Sequence, residues 1–76
     1  MNEEISKELE YLIEDLNTCQ RIMQKTITNN SVVDSVTGDD LPLNKGGRAV
    51  AVIALTDYTY QRDILSDISR LLNQTQ

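Results

Sequence analysis

Two long stretches of this chain repeat apolar residues at alternating spacings of three and four, and a break holding every glycine and the single proline separates them. Residues 3–29 carry Ile5, Leu9, Leu12, Leu16, Cys19, Met23 and Ile27 at this spacing, with Ile13 and Ile22 widening the stripe. Residues 48–74 carry Val50, Ile53, Asp57, Tyr60, Ile64, Ile68 and Leu71, with Val52, Leu65 and Leu72 as a second row. A repeat averaging 3.5 residues is the seam of a packed helix. At 1.5 Å rise per residue each helix is about 40 Å long. Two helices of similar length joined by one connection predict an all-α antiparallel hairpin. The expected layout is one domain over residues 1–76, with helices at about 3–29 and 48–74 and a central loop at 30–47.

The break is read from turn chemistry. Thr37-Gly38-Asp39-Asp40 is a turn signal, and Pro42 follows it. Val32-Val33 and Leu41-Leu43 flank the turn, which fits a short β-hairpin or an ordered loop lying across a subunit interface about equally. Asn2 is a candidate cap for the first helix, and Asn29-Asn30-Ser31 after Thr26-Ile27-Thr28 weakens its far end.

At 76 residues with no Trp and no Phe, the core must come from Leu, Ile, Val and Met. A chain of this length buries only about 60% of its unfolded surface. Association of hairpins into a homo-oligomeric helical bundle is the expected remedy.

Charge narrows the function classes. The chain holds 7 basic and 12 acidic residues, a net charge of −5, which argues against binding a nucleic-acid polymer. Glu3, Glu4, Glu8, Glu10, Glu14 and Asp15 crowd the start of the first helix, where acids favour the helix dipole. With one cysteine and no histidine, neither an intrachain disulfide nor a Cys/His zinc site can form. Cys19 reads as a core thiol. Asp34, Asp39 and Asp40 match no calcium-loop spacing and read as a solvated turn. No metal and no cofactor is expected. Nor is an enzyme: no side chain titrates near neutrality unless Asp57 is strongly shifted, and Cys19 lacks an activating partner. No leader pattern or membrane-length apolar run is evident, so a soluble cytoplasmic protein with no membrane partner is expected.

The chemistry-bearing candidates lie in the second helix. Asn44-Lys45-Gly46-Gly47-Arg48 places two glycines and two cations at a helix start. Free backbone N–H groups there can cradle an anion, and glycine allows close approach. The pattern lacks the P-loop motif, so nucleotide hydrolysis is not implied. Further along, Thr56 and Asp57 interrupt the apolar seam, with Thr59, Gln61 and Arg62 interleaved with Tyr58 and Tyr60. These fit either a ligand site or a polar layer that fixes bundle register. From the first helix, Tyr11 could stack on a base, while Arg21 and Lys25 would join Lys45 and Arg48 at one basic end of an antiparallel hairpin.

The run Arg48-Ala49-Val50-Ala51-Val52-Ile53-Ala54-Leu55-Thr56-Asp57 resembles the second helix of small phage helical-hairpin sponge proteins. These sequester the cyclic nucleotide signals of bacterial immunity, as anti-CBASS and anti-Thoeris proteins do. The likeness covers about ten residues: an Arg, a stretch of small apolar residues, then a Thr with an acidic neighbour. The Arg48-to-Thr56 spacing is one residue longer than the family's. Tyr58, Tyr60 and Gln61-Arg62-Asp63 replace its aromatic or Met positions. The resemblance implies a cytoplasmic anti-defence protein that binds a cyclic oligonucleotide or cyclic ADP-ribose-like ligand between protomers without cleaving it. Lys45, Gly46, Gly47 and Arg48 would then hold phosphate, with Tyr11, Tyr60, Thr56, Asp57 and Lys25 completing the site. The competing expectation is a dimeric helical interaction module that acts as a small protein inhibitor or regulator through its acidic face.

Overall fold

The computed structural model describes residues 2–74. They form helix α1 (Asn2–Asn29), strand β1 (Ser31–Val33), strand β2 (Asp40–Pro42) and helix α2 (Lys45–Gln74). The two helices pack against each other as an antiparallel hairpin measuring 48 × 23 × 14 Å. Gln20 of α1 meets Thr59 and Arg62 of α2, while Ile27 near the end of α1 meets Arg48 near the start of α2.

The connection is more ordered than a loop. Asn30 takes a left-handed conformation (φ 52°) that stops α1, as Asn can do with a local polar side chain. Strands β1 and β2 then pair antiparallel, Ser31 opposite Pro42, Val32 opposite Leu41 and Val33 opposite Asp40. Asp34 organises the turn between them. Its carboxylate accepts from the backbone N–H groups of Val36 (2.8 Å) and Thr37 (3.3 Å), and its carbonyl accepts from Gly38 N–H at 2.8 Å. Gly38 has φ 76°, which a side chain would strain. Leu43 N–H donates to the Asn30 carbonyl at 2.9 Å, so the β-ribbon closes onto the end of α1.

Helix α2 begins at Lys45, three residues before the expected start at 48, because Asn44 caps it. The Asn44 side-chain oxygen accepts from Gly47 N–H at 2.7 Å, and its carbonyl accepts from Arg48 N–H at 2.9 Å. This is the geometry of an Asn N-cap bonded to the third helical residue.

The packed face of α2 is not the row the sequence suggested. Ala51 is buried, and Leu55, Tyr58, Arg62, Leu65, Ser69 and Leu72 are half-buried beside α1. Val50, Ile53, Asp57, Tyr60, Ile64, Ile68 and Leu71 face outward. Both rows alternate steps of three and four. The inner row holds Ala51, Arg62 and Ser69, so hydrophobicity alone ranks it below the Val/Ile row. On α1 the expected row is partly the packed one: Leu9 is buried and Ile13, Leu16, Cys19, Met23 and Ile27 are half-buried, but Ile5, Leu12 and Ile22 are exposed. Among the described residues only Leu9 and Ala51 count as buried. No described helix is long and apolar enough to cross a membrane.

Candidate functional site: a polar layer and a groove between the helices

The glycine-bearing start of α2 is engaged in capping. A Cβ on Gly47 would lie 3.3 Å from the Asn44 side-chain oxygen and 3.4 Å from Leu43 Cδ2, a tight fit beside the cap. At Gly46 the nearest such contact is an ordinary 3.6 Å. The Arg48 guanidinium turns back across the hairpin. Its Nη1 donates to the Ile27 carbonyl at 2.9 Å and to Asn30 Oδ1 at 3.2 Å. A cation on the last carbonyls of α1 satisfies orphan acceptors and opposes the negative end of that helix. Gly47 N–H and the Arg48 guanidinium thus serve the joint between the helices rather than an open anion cradle. Lys45 stands exposed at the same end.

The other sequence candidates are dispersed. Thr56 is exposed, and its hydroxyl donates to the Val52 carbonyl at 3.0 Å within its own helix. Asp57 and Tyr60 lie exposed on the outward row. Tyr11 lines a shallow hollow with Glu4, Ile5, Lys7, Glu8 and Leu9, on the acidic half of α1. Arg21 and Lys25 line different grooves, Lys25 beside Thr26, Val32 and Asp40. The four cations expected at one basic end lie in the connection half of the hairpin but serve the helix joint and two grooves rather than one site.

A constellation that sequence reasoning underweighted sits midway along the hairpin. Gln20 Nε2 donates to Thr59 Oγ1 at 2.8 Å, and Arg62 Nη1 donates to Gln20 Oε1 at 2.7 Å. Thr59 Oγ1 donates to the Leu55 carbonyl at 2.9 Å, and Arg62 Nη2 pairs with Asp63 Oδ1 at 3.0 Å. One glutamine thus joins both ends of its amide to α2, and the Arg62 plane is held by two partners. Beside this layer opens a groove of about 710 Å³ whose lining includes Asn17, Gln20, Arg21, Gln24, Thr59 and Arg62. Glu14 and Leu55 complete its walls. Arg21 Nη2 donates to Thr18 Oγ1 at 3.3 Å. The signal for this site was phase. Arg62 falls between Tyr58 and Leu65 on the inner row, and Gln20 falls between Leu16 and Met23, so two long polar side chains interrupt facing apolar stripes.

Chemically, the groove offers guanidinium donors, amide donors and acceptors, and an apolar patch at Leu55. Arg presents a planar fork suited to phosphate or carboxylate, and an amide can match the edge of a base. Its volume falls in the range of small-molecule sites. No group of His, Cys, Asp or Glu side chains among the described residues could hold a metal ion. The fold and groove define a two-helix hairpin with a polar layer across its interior face. Comparison with protein-family models, curated proteins and solved structures gave no match to the chain.

Proposed function

We propose that this protein is a non-catalytic binder that sequesters a small cyclic nucleotide or cyclic ADP-ribose-like signal in the cytoplasm, acting as a self-associated hairpin. The observation that supports this most is the groove in which Arg21, Arg62, Gln20 and Gln24 stand together beside a pre-organised polar layer. A site held in place before the ligand arrives loses less entropy on binding. The guanidiniums of Arg21 and Arg62 would face phosphate, and the amides of Gln24 and Asn17 a base or ribose edge. Glu14 would accept from an exocyclic amine. This reading moves the phosphate contacts from Arg48 and the two glycines to the middle of the hairpin. With no histidine in the chain and no activated nucleophile evident, the ligand is held and released intact.

Isothermal titration with a panel of cyclic oligonucleotides and cyclic ADP-ribose isomers tests the reading. At least one should give saturable heat, Arg21→Ala should weaken it about tenfold or more, and the ligand should be recovered unchanged. Absence of heat across the whole panel refutes the proposal.

A second reading has its own observation. Glu3, Glu4, Glu8 and Glu10 are exposed on the first turns of α1 with exposed Tyr11 among them, a surface suited to a basic protein partner. It predicts a single protein captured by the wild-type chain and lost from Glu8→Lys/Glu14→Lys.

A further inference from the structure

Resting on the self-association part of that reading, we infer that a second copy of this chain docks on the outward row of α2 in antiparallel orientation, making a two-fold dimer of hairpins joined through α2. The single hairpin leaves too much surface exposed for its mass. A globular monomer of 8.6 kDa exposes about 4,700 Å², whereas this one exposes 5884 Å². The difference, about 1,200 Å², exceeds the roughly 800 Å² per partner that a standard specific interface removes.

Part of that exposed surface forms one continuous face of α2. Val50, Ile53, Tyr60, Ile64, Ile68 and Leu71 are each 41–68% exposed. At 3.6 residues per turn they and Asp57 fall within about 80° of the circumference of α2, as one stripe about 30 Å long. Both its spacing and its apolar content are those of a helix-packing seam.

The stripe also fixes orientation. About a two-fold axis passing between Tyr60 and Gln61, antiparallel packing sets Val50 opposite Leu71 of the second copy, Ile53 opposite Ile68, and Asp57 opposite Ile64. Three pairs of stripe positions exchange about this axis and Tyr60 lies next to it, which gives the self-complementarity an isologous interface demands. Parallel packing in register would instead set Asp57 against Asp57, two like charges on a drying seam. Antiparallel packing separates those carboxylates and leaves each beside Gln61 and Tyr60 of the opposing helix. Thr59, at the edge of the groove, lies about 140° around α2 from the centre of this stripe. The groove therefore stays open in the dimer.

Sedimentation equilibrium of the full chain, joined to site-directed crosslinking in a Cys19→Ser background, tests this. The protein should sediment as a dimer that Ile53→Lys shifts about tenfold or more towards monomer. A short bismaleimide should join V50C to L71C in a mixture of the two variants, and neither variant to itself. Dimers in which V50C crosslinks to itself overturn the antiparallel pairing while leaving self-association intact. A monomer at all concentrations overturns both. Neither result bears on ligand heat, so failure of the sponge reading is seen separately.

Discussion

Replacing the polar layer by hydrocarbon, as Gln20→Leu/Arg62→Leu, should make the protein more stable and abolish ligand binding. The magnitude follows from the site. The Arg62 side chain is 32% exposed and Gln20 is half-buried, so leucines there would be roughly two-thirds covered. Full burial of a leucine contributes about 1.5–3 kcal/mol, which gives about 2–4 kcal/mol for the two at this coverage. The lost Gln20–Thr59 and Gln20–Arg62 hydrogen bonds offset about 2 kcal/mol together, at about 1 each in a partly wet site. The aliphatic stem of Arg62 already covers some of that surface, so the net gain is at most about 1 kcal/mol. For a chain of this size that raises the melting midpoint by up to roughly 5 °C. Urea unfolding followed by helical circular dichroism measures it, at fixed protein concentration because an associating chain has concentration-dependent stability. A gain in stability with lost ligand heat means the layer is kept for binding at some cost to the fold. A loss of more than about 1 kcal/mol would show that the layer supports the hairpin itself, and would refute the energetic argument for a functional groove.

Three further outcomes concern the helix joint. Asn44→Ala removes the cap on Gly47 N–H and should cost about 1 kcal/mol in the same urea assay. Arg48→Ala should cost about 0.5–1 kcal/mol, the range for an exposed cation on a helix C-terminus, and raising salt should shrink the difference between the two proteins. Gly46→Ala should stabilise by a few tenths of a kcal/mol or more through helix propensity, whereas Gly47→Ala should gain less, because its Cβ would lie 3.3 Å from the Asn44 cap oxygen; the opposite order of melting midpoints would contradict the capping geometry.

The hairpin was legible because its signals are local. Apolar periodicity gave two helices, Thr37-Gly38-Asp39-Asp40 gave the turn, and the number and length of helices gave the antiparallel arrangement. The inward face of α2 was not legible. Two rows with heptad spacing coexist on that helix, and the hydrophobic scale favours Val50-Ile53-Ile64-Ile68-Leu71 over Ala51-Leu55-Tyr58-Arg62-Leu65-Ser69-Leu72. Tertiary contact reversed the ranking: the row that meets α1 is the one holding Leu55, Tyr58, Leu65 and Leu72 together with Ala51, Arg62 and Ser69. The capping roles of Gly47 and Arg48 were hidden for a related reason. A glycine pair beside a cation has the same composition in an anion cradle and in a helix joint, and only the position of Asn30 and Ile27 relative to Arg48 distinguishes the two.

The two rows on α2 divide the work of the molecule. The inner row closes the hairpin but accepts Arg62 and Ser69, which weakens it as a core and leaves Ala51 as the one buried residue among those described on that helix. A chain that gives part of its interior to a polar layer must gain apolar burial elsewhere, and the outer row is where α2 holds Val50, Leu71 and its isoleucines Ile53, Ile64 and Ile68. Asp57 interrupts that row as Arg62 interrupts the inner one. The interruptions differ in consequence: Arg62 is answered within the protomer by Gln20, while Asp57 is exposed and makes no ion pair among the described residues. An unanswered carboxylate on an apolar seam disfavours every pairing that brings two copies of it together. It therefore acts on which way a second hairpin lies more than on whether one binds. Asp57→Ile should accordingly strengthen association in sedimentation while allowing V50C to crosslink with itself as well as with L71C. Retention of the strict V50C–L71C pattern in Asp57→Ile would show that the two-fold match of the apolar positions sets the orientation without the charge.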